Sequence, residues 1–134
     1  MLIHSIGRGT GPSYTDPWIR KHIFPGGYIP ALSEVIPKVE RSGLFVTDIE
    51  ILRFHYSKTL HSWSSRFYSN REKIERKLGE EFFRKWEYYL AGSEASFKHL
   101  GHMVFHLQIA MNPALVPITR DYLYDSSTAM PRSA

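Results

Sequence analysis

Residues 1–9 read MLIHSIGRG, and this short stretch indicates the class of fold. Its apolar residues Leu2, Ile3 and Ile6 are typical of a buried β-strand, and Gly7 closes the run. Residues 8–17, RGTGPSYTDP, are rich in the Gly, Pro, Ser and Asp residues that form loops. Because α/β sheets bind their ligands where strands end in such loops, we expect a binding site near the end of this strand.

The composition is typical of one soluble domain. A chain of 134 residues with 43% hydrophobic content is long enough for one compact core and too short for two. The formal net charge of +4 favours anionic partners such as phospholipid headgroups or nucleic acid. The absence of cysteine excludes disulfides, thiolate nucleophiles and cysteine-based zinc sites. No apolar run reaches the ~20 residues of a membrane span, and the start lacks a signal-peptide pattern, so we expect a cytoplasmic protein.

The segment after the first loop predicts a turn-rich region and then one helix. WIRKHIFPGGYIP, at residues 18–30, is apolar and aromatic but is broken by Pro and Gly, so no long helix is expected there. Ser33 is a candidate N-cap for a helix that ends at Gly43. Pro37 would lie early in that helix, where its missing N–H costs least.

Two strands and two helices are predicted in the remainder of the chain. LFVTDIEIL, residues 44–52, is rich in β-branched residues and predicts a strand. Residues 53–97 predict two amphipathic helices that are separated by Gly79. HMVFHLQIAM, residues 102–111, predicts another strand or a buried segment, and the chain from Asn112 onward is expected to be irregular.

The predicted order of elements is strand, helix, strand, two helices and strand, which is typical of the end of an α/β sheet domain. Residues 1–111 are expected to form this domain segment and residues 112–134 an irregular tail. The glycines at 7–11 lack the GxGxxG spacing of a dinucleotide-binding turn, and no helix is predicted directly after them. The pattern therefore argues against a dinucleotide site in this loop.

Two polar side chains are candidate site residues because each lies near the end of a predicted strand. His4 belongs to the first strand, where a neutral imidazole can bind an anion or accept a proton. Its alternative is a core histidine that is hydrogen-bonded to backbone. Tyr56 follows the second strand, beside His55, and its phenol can bind an oxyanion or turn its face to a cation. The alternative is that Tyr56 packs in the core while Ser57 or Thr59 caps a helix.

The histidine-rich and charged segments do not predict a metal or nucleic-acid site. His99, His102 and His106 lie within one short segment, but their spacing fits neither a HExxH helix nor a Cys/His finger. Packing or surface histidines are favoured over metal ligands. Acidic residues interleave with basic ones between Arg71 and Glu87, which indicates a solvated helix face with local ion pairs. We therefore expect neither a metal nor a nucleic-acid partner.

Four stretches carry a resemblance to a known family: LIHSIG (2–7), DPWIRKHIFPGGYIPAL (16–32), HYSKTLHSW (55–63) and FRKWEYYLAGSEASF (83–97). In this order and at this spacing they resemble the cyclopropane-fatty-acyl-phospholipid synthases, which are S-adenosylmethionine-dependent methyltransferases related to the mycolic acid cyclopropane synthases. The resemblance implies an α/β fold, namely the C-terminal part of a Rossmann-like class I methyltransferase sheet with about three strands and added helices.

The resemblance also implies an activity and its site residues. The family transfers a methyl group from S-adenosylmethionine to a cis double bond in a phospholipid acyl chain at a membrane surface. Loss of a proton from the added methyl then closes a cyclopropane ring, and a bound bicarbonate ion is the base ascribed to the family. The residues that match the family's bicarbonate pocket are His4, Ile6 and Tyr56, and His4 and Tyr56 are the implied catalytic residues.

The chain also departs from the family pattern. The family's cofactor loop, its acidic ribose-binding residue and the other bicarbonate ligands all precede the position that matches His4. The resemblance therefore implies a fragment that starts at the family's fifth strand and neither binds S-adenosylmethionine nor acts alone. Its expected partners are a missing N-terminal half or further copies of the chain, in the cytoplasm or peripheral to the membrane. A second hypothesis is a lipid- or partner-binding module whose first strand pairs with a separately encoded half.

Overall fold

A computed structural model describes residues 1–124, and three strands in it form one sheet. The strands are β1 (Leu2–Arg8), β2 (Phe45–Leu52) and β3 (His102–Ala110). β3 lies between β1 and β2 and runs antiparallel to both, so β1 and β2 point in the same direction. The α/β class and the three predicted strands are confirmed.

Helices cover both faces of this sheet. The five helices of the described residues are α1 (Pro17–His22), α2 (Leu32–Arg41), α3 (His55–Ser69), α4 (Arg71–Leu78) and α5 (Glu80–His99), and two short 3₁₀ turns follow at Pro113–Leu115 and Asp121–Leu123. On one face, Val39 of α2 packs against Phe105 and Leu107 of β3. On the other face, Leu60 of α3 and Leu90 of α5 pack against Val104. The central strand is therefore covered on both faces, but only one face is apolar throughout; on the other, Val104 is buried between the polar residues His102 and His106.

The prediction of two helices in residues 53–97 is wrong, because the chain breaks at Asn70 as well as at Gly79. The Asn70 side-chain amide donates to the Arg66 carbonyl at 2.8 Å and so satisfies one of the carbonyls that a helix end leaves free. The break lets α5 fold back along α3, where Phe83 stacks on Phe67 with ring centroids 4.5 Å apart.

Two details of the predicted α2 helix are also wrong. The helix begins at Leu32, before Ser33, and its first turn is held by the Glu34 carboxylate, which accepts from the Ala31 N–H at 2.8 Å. Pro37 lies inside the helix, where it removes the bond to the Ser33 carbonyl. The predicted stop at Gly43 agrees with its φ of 76°, a conformation that favours glycine.

The segment after β3 returns to the sheet. The Arg120 guanidinium donates to both carboxylate oxygens of Asp48 in β2, with the Nη2 contact at 2.8 Å. The Tyr122 hydroxyl donates to the Gln108 side chain of β3 at 2.9 Å. The boundary at residue 111 stays a prediction, and residues 125–134 of the predicted tail lie outside the described residues.

Candidate functional site

A cleft of about 460 Å³ opens between the end of β1, the α1 segment and the helices α3 and α5. Its wall is mainly aromatic and aliphatic, and it includes Ile6, Ile19, Phe24, Tyr56, Tyr89 and Phe97. The cleft lies at the carboxyl end of β1, where α/β sheets place their ligands. A cavity of this shape and lining suits a large apolar ligand.

The pleat of β1 positions Ile6 in this wall. Even-numbered residues of β1 point toward α3 and α5, and Ile6 packs there against the cluster that contains Leu60 and Val104. The next residue, Gly7, points to the opposite face, where an added Cβ would lie 2.7 Å from the ring of Phe105. Only glycine therefore allows β1 to lie this close to the buried ring.

Two tyrosines form the aromatic side of the cleft. Tyr56 lies in the first turn of α3, and its ring centroid is 4.9 Å from that of Phe97 in α5. Tyr89 lies beside it, and burial, followed by the proximity of Tyr56, raises the pKa of the Tyr89 hydroxyl. Tyr89 is consequently a neutral phenol at physiological pH and adds no negative charge to the cleft.

The polar end of the cleft contains Arg8 and His102. The Arg8 Nε atom donates to the Ile29 carbonyl at 3.0 Å, and its Nη2 atom donates to the Tyr14 carbonyl at 2.9 Å, so the guanidinium holds the loop in place. Burial, and secondarily the charge of Arg8, lowers the pKa of His102 from 6.5. His102 is therefore neutral at physiological pH.

The backbone of Ile6 is turned toward the outer edge of β1. The Arg8 N–H donates outward to the Pro30 carbonyl at 2.9 Å and not to β3. Backbone groups alternate along a strand, so His4 and Ile6, which share the parity of Arg8, also direct their N–H and C=O groups outward. The Ile6 N–H is thus directed away from β3 toward the outer edge, where it can donate to an anion.

The His4 side chain takes part in a row of polar contacts across all three strands. His4 is the third residue of β1 and not at its end, which corrects the expected position. Its Nδ1 atom lies 2.8 Å from Nε2 of His106 in β3. The Nδ1 atom of His106 lies 3.0 Å from Oε2 of Glu50 in β2. We call these three residues the polar row; they lie on the same sheet face as Ile6.

The structure brings some predicted site residues together and separates others. Ile6 and Tyr56 line the same cleft. His4 lies two residues before Ile6 on the same face of β1 and is not among the residues that line the cleft. His99 ends α5, His102 packs at 5.8 Å from the Phe97 ring, and His106 belongs to the polar row. Among residues 1–124, no group of three His, Cys, Asp or Glu side chains is placed to hold a metal ion.

Sequence reasoning did not predict the contact between Glu50 and His106. The two residues lie 56 positions apart in the sequence and meet only because β2 pairs with β3 in one register. The alternation of LFVTDIEIL marked Glu50 as facing away from Ile49 and Ile51, but it carried no information about its partner.

The polar groups near the cleft are one carboxylate in the loop after β1 and two hydrogen-bond donors beside the cleft wall. The carboxylate in the loop after β1 belongs to Asp16, which caps α1 by accepting from Trp18 N–H at 2.9 Å and Ile19 N–H at 3.0 Å. Both bonds use Oδ1, so this oxygen is engaged at the start of α1. By contrast, the Ile6 N–H and the Tyr56 phenol are donors suited to an oxyanion such as bicarbonate.

The sequence profile of the mycolic acid cyclopropane synthetase family matches residues 1–107. The chain is 35% identical over 124 residues to a probable fatty acid methyltransferase of Pseudomonas putida, covering 89% of this chain and 30% of that protein. It is 31% identical over 97 residues to the cyclopropane-fatty-acyl-phospholipid synthase of Escherichia coli K12, covering 72% of this chain and 25% of that protein. The chain thus spans less than a third of the length of these curated relatives.

The fold is also similar to that of solved structures. A mycolic acid cyclopropane synthase in complex with S-adenosylhomocysteine (SAH) and CTAB superposes with a TM-score of 0.72 at 26% identity, covering 81% of this chain and 43% of that one. A cyclopropane synthase of Mycobacterium tuberculosis superposes with a TM-score of 0.73 at 24% identity, with the same coverage of 81% and 43%. Within residues 1–124, no helix combines the length and apolar character that crossing a membrane requires.

Proposed function

The chain belongs to the mycolic acid cyclopropane synthetase family, and we propose that it supplies the acyl-binding and anion-binding side of an S-adenosylmethionine-dependent lipid methyltransferase. The observation that carries this proposal is the aromatic cleft in which Ile6 and Tyr56 meet. The proposed substrate is the unsaturated acyl chain of a phospholipid, reached at a membrane surface by a protein of the cytoplasm.

The cleft suits an acyl chain because its lining offers apolar contacts along most of its length. Ile19 and Phe24 come from the α1 segment, and Leu60 and Phe97 come from the helices that pack on the sheet. Each buried methylene of an acyl chain contributes about 0.8 kcal/mol of favourable transfer energy. A chain of several methylenes therefore binds through apolar contacts alone, without using the charges of Arg8 and Asp16 at the polar end.

The same aromatic wall suits a positively charged intermediate. Methyl addition to a double bond leaves a carbocation on the acyl chain, which water would capture. The rings of Tyr56 and Phe97 present negative faces that stabilise a nearby cation, and the apolar wall around them excludes water. Tyr89, which burial keeps neutral, adds a third ring without adding a competing charge.

Bicarbonate fits the residues beside this wall. When bound, bicarbonate supplies a base for the proton that the intermediate must lose. The Ile6 N–H and the Tyr56 hydroxyl would donate to its oxygens, and His4 would contact it from the adjacent row of the sheet. His4 and Tyr56 are accordingly our proposed catalytic residues.

We propose that this chain by itself does not bind S-adenosylmethionine; the one carboxylate in the loop after β1, that of Asp16, already accepts two N–H groups of α1 through its Oδ1 atom. The 134-residue chain should then bind acyl lipid without binding the cofactor. Isothermal titration tests whether the cofactor binds: micromolar binding of S-adenosylmethionine to this chain would contradict the proposal that it does not.

Displacement of cis-parinaric acid by a cis-monounsaturated phospholipid in detergent micelles tests the acyl site. We expect Tyr56→Ala to weaken binding at least several-fold, because the variant removes one wall of the cleft. Tyr68→Ala is the matched control, since Tyr68 lies at the far end of α3 and does not line the cleft. Equal binding by the wild type and both variants, or no displacement at all, would contradict the proposal.

A second candidate function is a module that docks to a separately encoded partner through β1. This candidate is favoured by the outward backbone groups of β1 and by Leu2, which is 61% exposed at the same strand. Sedimentation combined with lipid binding tests this second candidate: a stable monomer that binds no acyl lipid would count against it, and binding of acyl lipid supports the first.

A further inference from the structure

We propose that Glu50 and His106 are positioning residues that fix the tautomer of His4, so that its Nε2 atom presents a lone pair to the bound ligand. This inference rests on the proposed function, because it assigns a role to His4 in the anion site. It names two residues that the resemblance does not assign, and it limits the ligand to one that can donate a hydrogen bond.

The polar row is built by strand register. His4 pairs with His106 across β1 and β3, and His106 pairs with Glu50 across β3 and β2. The outward backbone bond of Arg8 makes His4 and His106 a pair without mutual backbone bonds. Such pairs bring their Cα atoms to about 4.5 Å, which is close enough for the two rings to meet.

The direction of the hydrogen bonds follows from Glu50. A carboxylate only accepts, so the Nδ1 atom of His106, 3.0 Å away, must carry the proton and donate it. In a neutral imidazole the other nitrogen is then an acceptor, so Nε2 of His106 accepts from Nδ1 of His4 at 2.8 Å. The proton of neutral His4 is thereby held on Nδ1, and Nε2 is left as an acceptor.

Glu50 is the carboxylate that is available to accept the hydrogen bond from His106. The neighbouring acidic residue on the same strand face, Asp48, is already bound by both donors of the Arg120 guanidinium. Among residues 1–124, the Nε2 atom of His4 has no hydrogen-bond partner, and the residue is exposed. The free nitrogen is therefore directed at solvent or at a ligand.

Because Nε2 of His4 is an acceptor, the site should prefer an anion that carries an O–H group over an anion without one. Bicarbonate has an O–H that can donate to Nε2 of His4 while its other oxygens accept from Ile6 and Tyr56. An anion without such a proton, for example nitrate, would place an oxygen lone pair against the lone pair of Nε2.

Long-range ¹H–¹⁵N spectroscopy of the imidazoles in the 134-residue chain tests the inference. The spectra are recorded near pH 8. We expect His4 in the Nδ1–H form in the wild type and a shift to the Nε2–H form in Glu50→Ala and in His106→Phe. Asp48→Asn is the matched control, and it should leave His4 in the Nδ1–H form.

Two results would overturn the inference. One is an Nε2–H tautomer of His4 in the wild type, and the other is an unchanged Nδ1–H tautomer in Glu50→Ala. Glu50 has a side chain that is 60% exposed, so Glu50→Ala decides the question even if His106→Phe fails to fold. The tautomer is measured without lipid, so loss of lipid binding with the Nδ1–H form intact contradicts only the proposed function.

Discussion

The Nδ1 atom of His4 lies 2.8 Å from the Nε2 atom of His106, although the two residues are 102 positions apart in the sequence. They meet because β3, from the end of the fold, inserts between the two strands that precede it. The orientation of the proposed catalytic imidazole therefore depends on a strand that lies far from it in the chain, and on the carboxylate of Glu50 beyond that strand.

We predict that Gly7→Ala destabilises the protein by about 1–3 kcal/mol, the range for an overpacked core. The new Cβ would lie 2.7 Å from the fully buried ring of Phe105 and 3.3 Å from the carbonyl oxygen of Pro30, so the ring or the strand must shift. Gly92→Ala is the control, since nothing lies within 4 Å of a Cβ at that position in α5. Alanine should stabilise that helix by about 0.5–1 kcal/mol. Urea unfolding of both variants measures the two effects, and equal shifts would contradict the close packing at Gly7.

We predict that the free energy of unfolding falls as the pH drops below 6.5, in part because of His102. Burial lowers the pKa of His102 below 6.5 in the folded protein, so the unfolded chain binds the proton more readily. The contribution is fully present above the unfolded value and is lost as the pH falls through the lower folded value. His102→Gln should make the free energy of unfolding depend less on pH below 6.5. Urea unfolding at a series of pH values measures this dependence. A profile identical to the wild type would show that other groups cause the loss.

We predict that Tyr56→Phe keeps the acyl site but weakens the anion site. The phenyl ring preserves the contact with Phe97, whereas the lost hydroxyl removes a hydrogen bond to a charged ligand, worth about 1.5–3 kcal/mol. Binding of bicarbonate, followed by broadening of its ¹³C resonance, should weaken about tenfold or more. Displacement of cis-parinaric acid should be unchanged. If the wild type and the variant broaden the bicarbonate resonance equally, the Tyr56 hydroxyl does not bind bicarbonate.

We predict that Asp48→Asn lowers the free energy of unfolding by less than about 1 kcal/mol. The Asp48 carboxylate is largely covered, but the side chain of Arg120 is 60% exposed, so water competes for the guanidinium. The loss should be local, with faster amide exchange at residues 119–124 and unchanged exchange in β3. A cost of several kcal/mol would show that this contact holds the whole sheet together.

Part of the fold and site could be predicted from local pattern because the physics is local. The β-branched residues of LFVTDIEIL and the apolar run of HMVFHLQIAM determine strands whatever lies beside them, and Gly43 stops α2 through its own backbone freedom. By contrast, the position of the second helix break depends on the Asn70 amide and on the stacking of Phe83 on Phe67. The periodicity of the apolar residues runs through Asn70 without interruption.

The sequence by itself determined the three strands, the α/β class and the family to which the chain belongs, because apolar periodicity and a run of specific motifs are read along the chain. Only the tertiary structure decided that β3 lies in the centre and that His106 lies between His4 and Glu50. The physical reason is that a strand's own residues determine which side chains share a face. Which residues meet across that face is determined by the pairing and register of separate strands, and no local signal encodes this register.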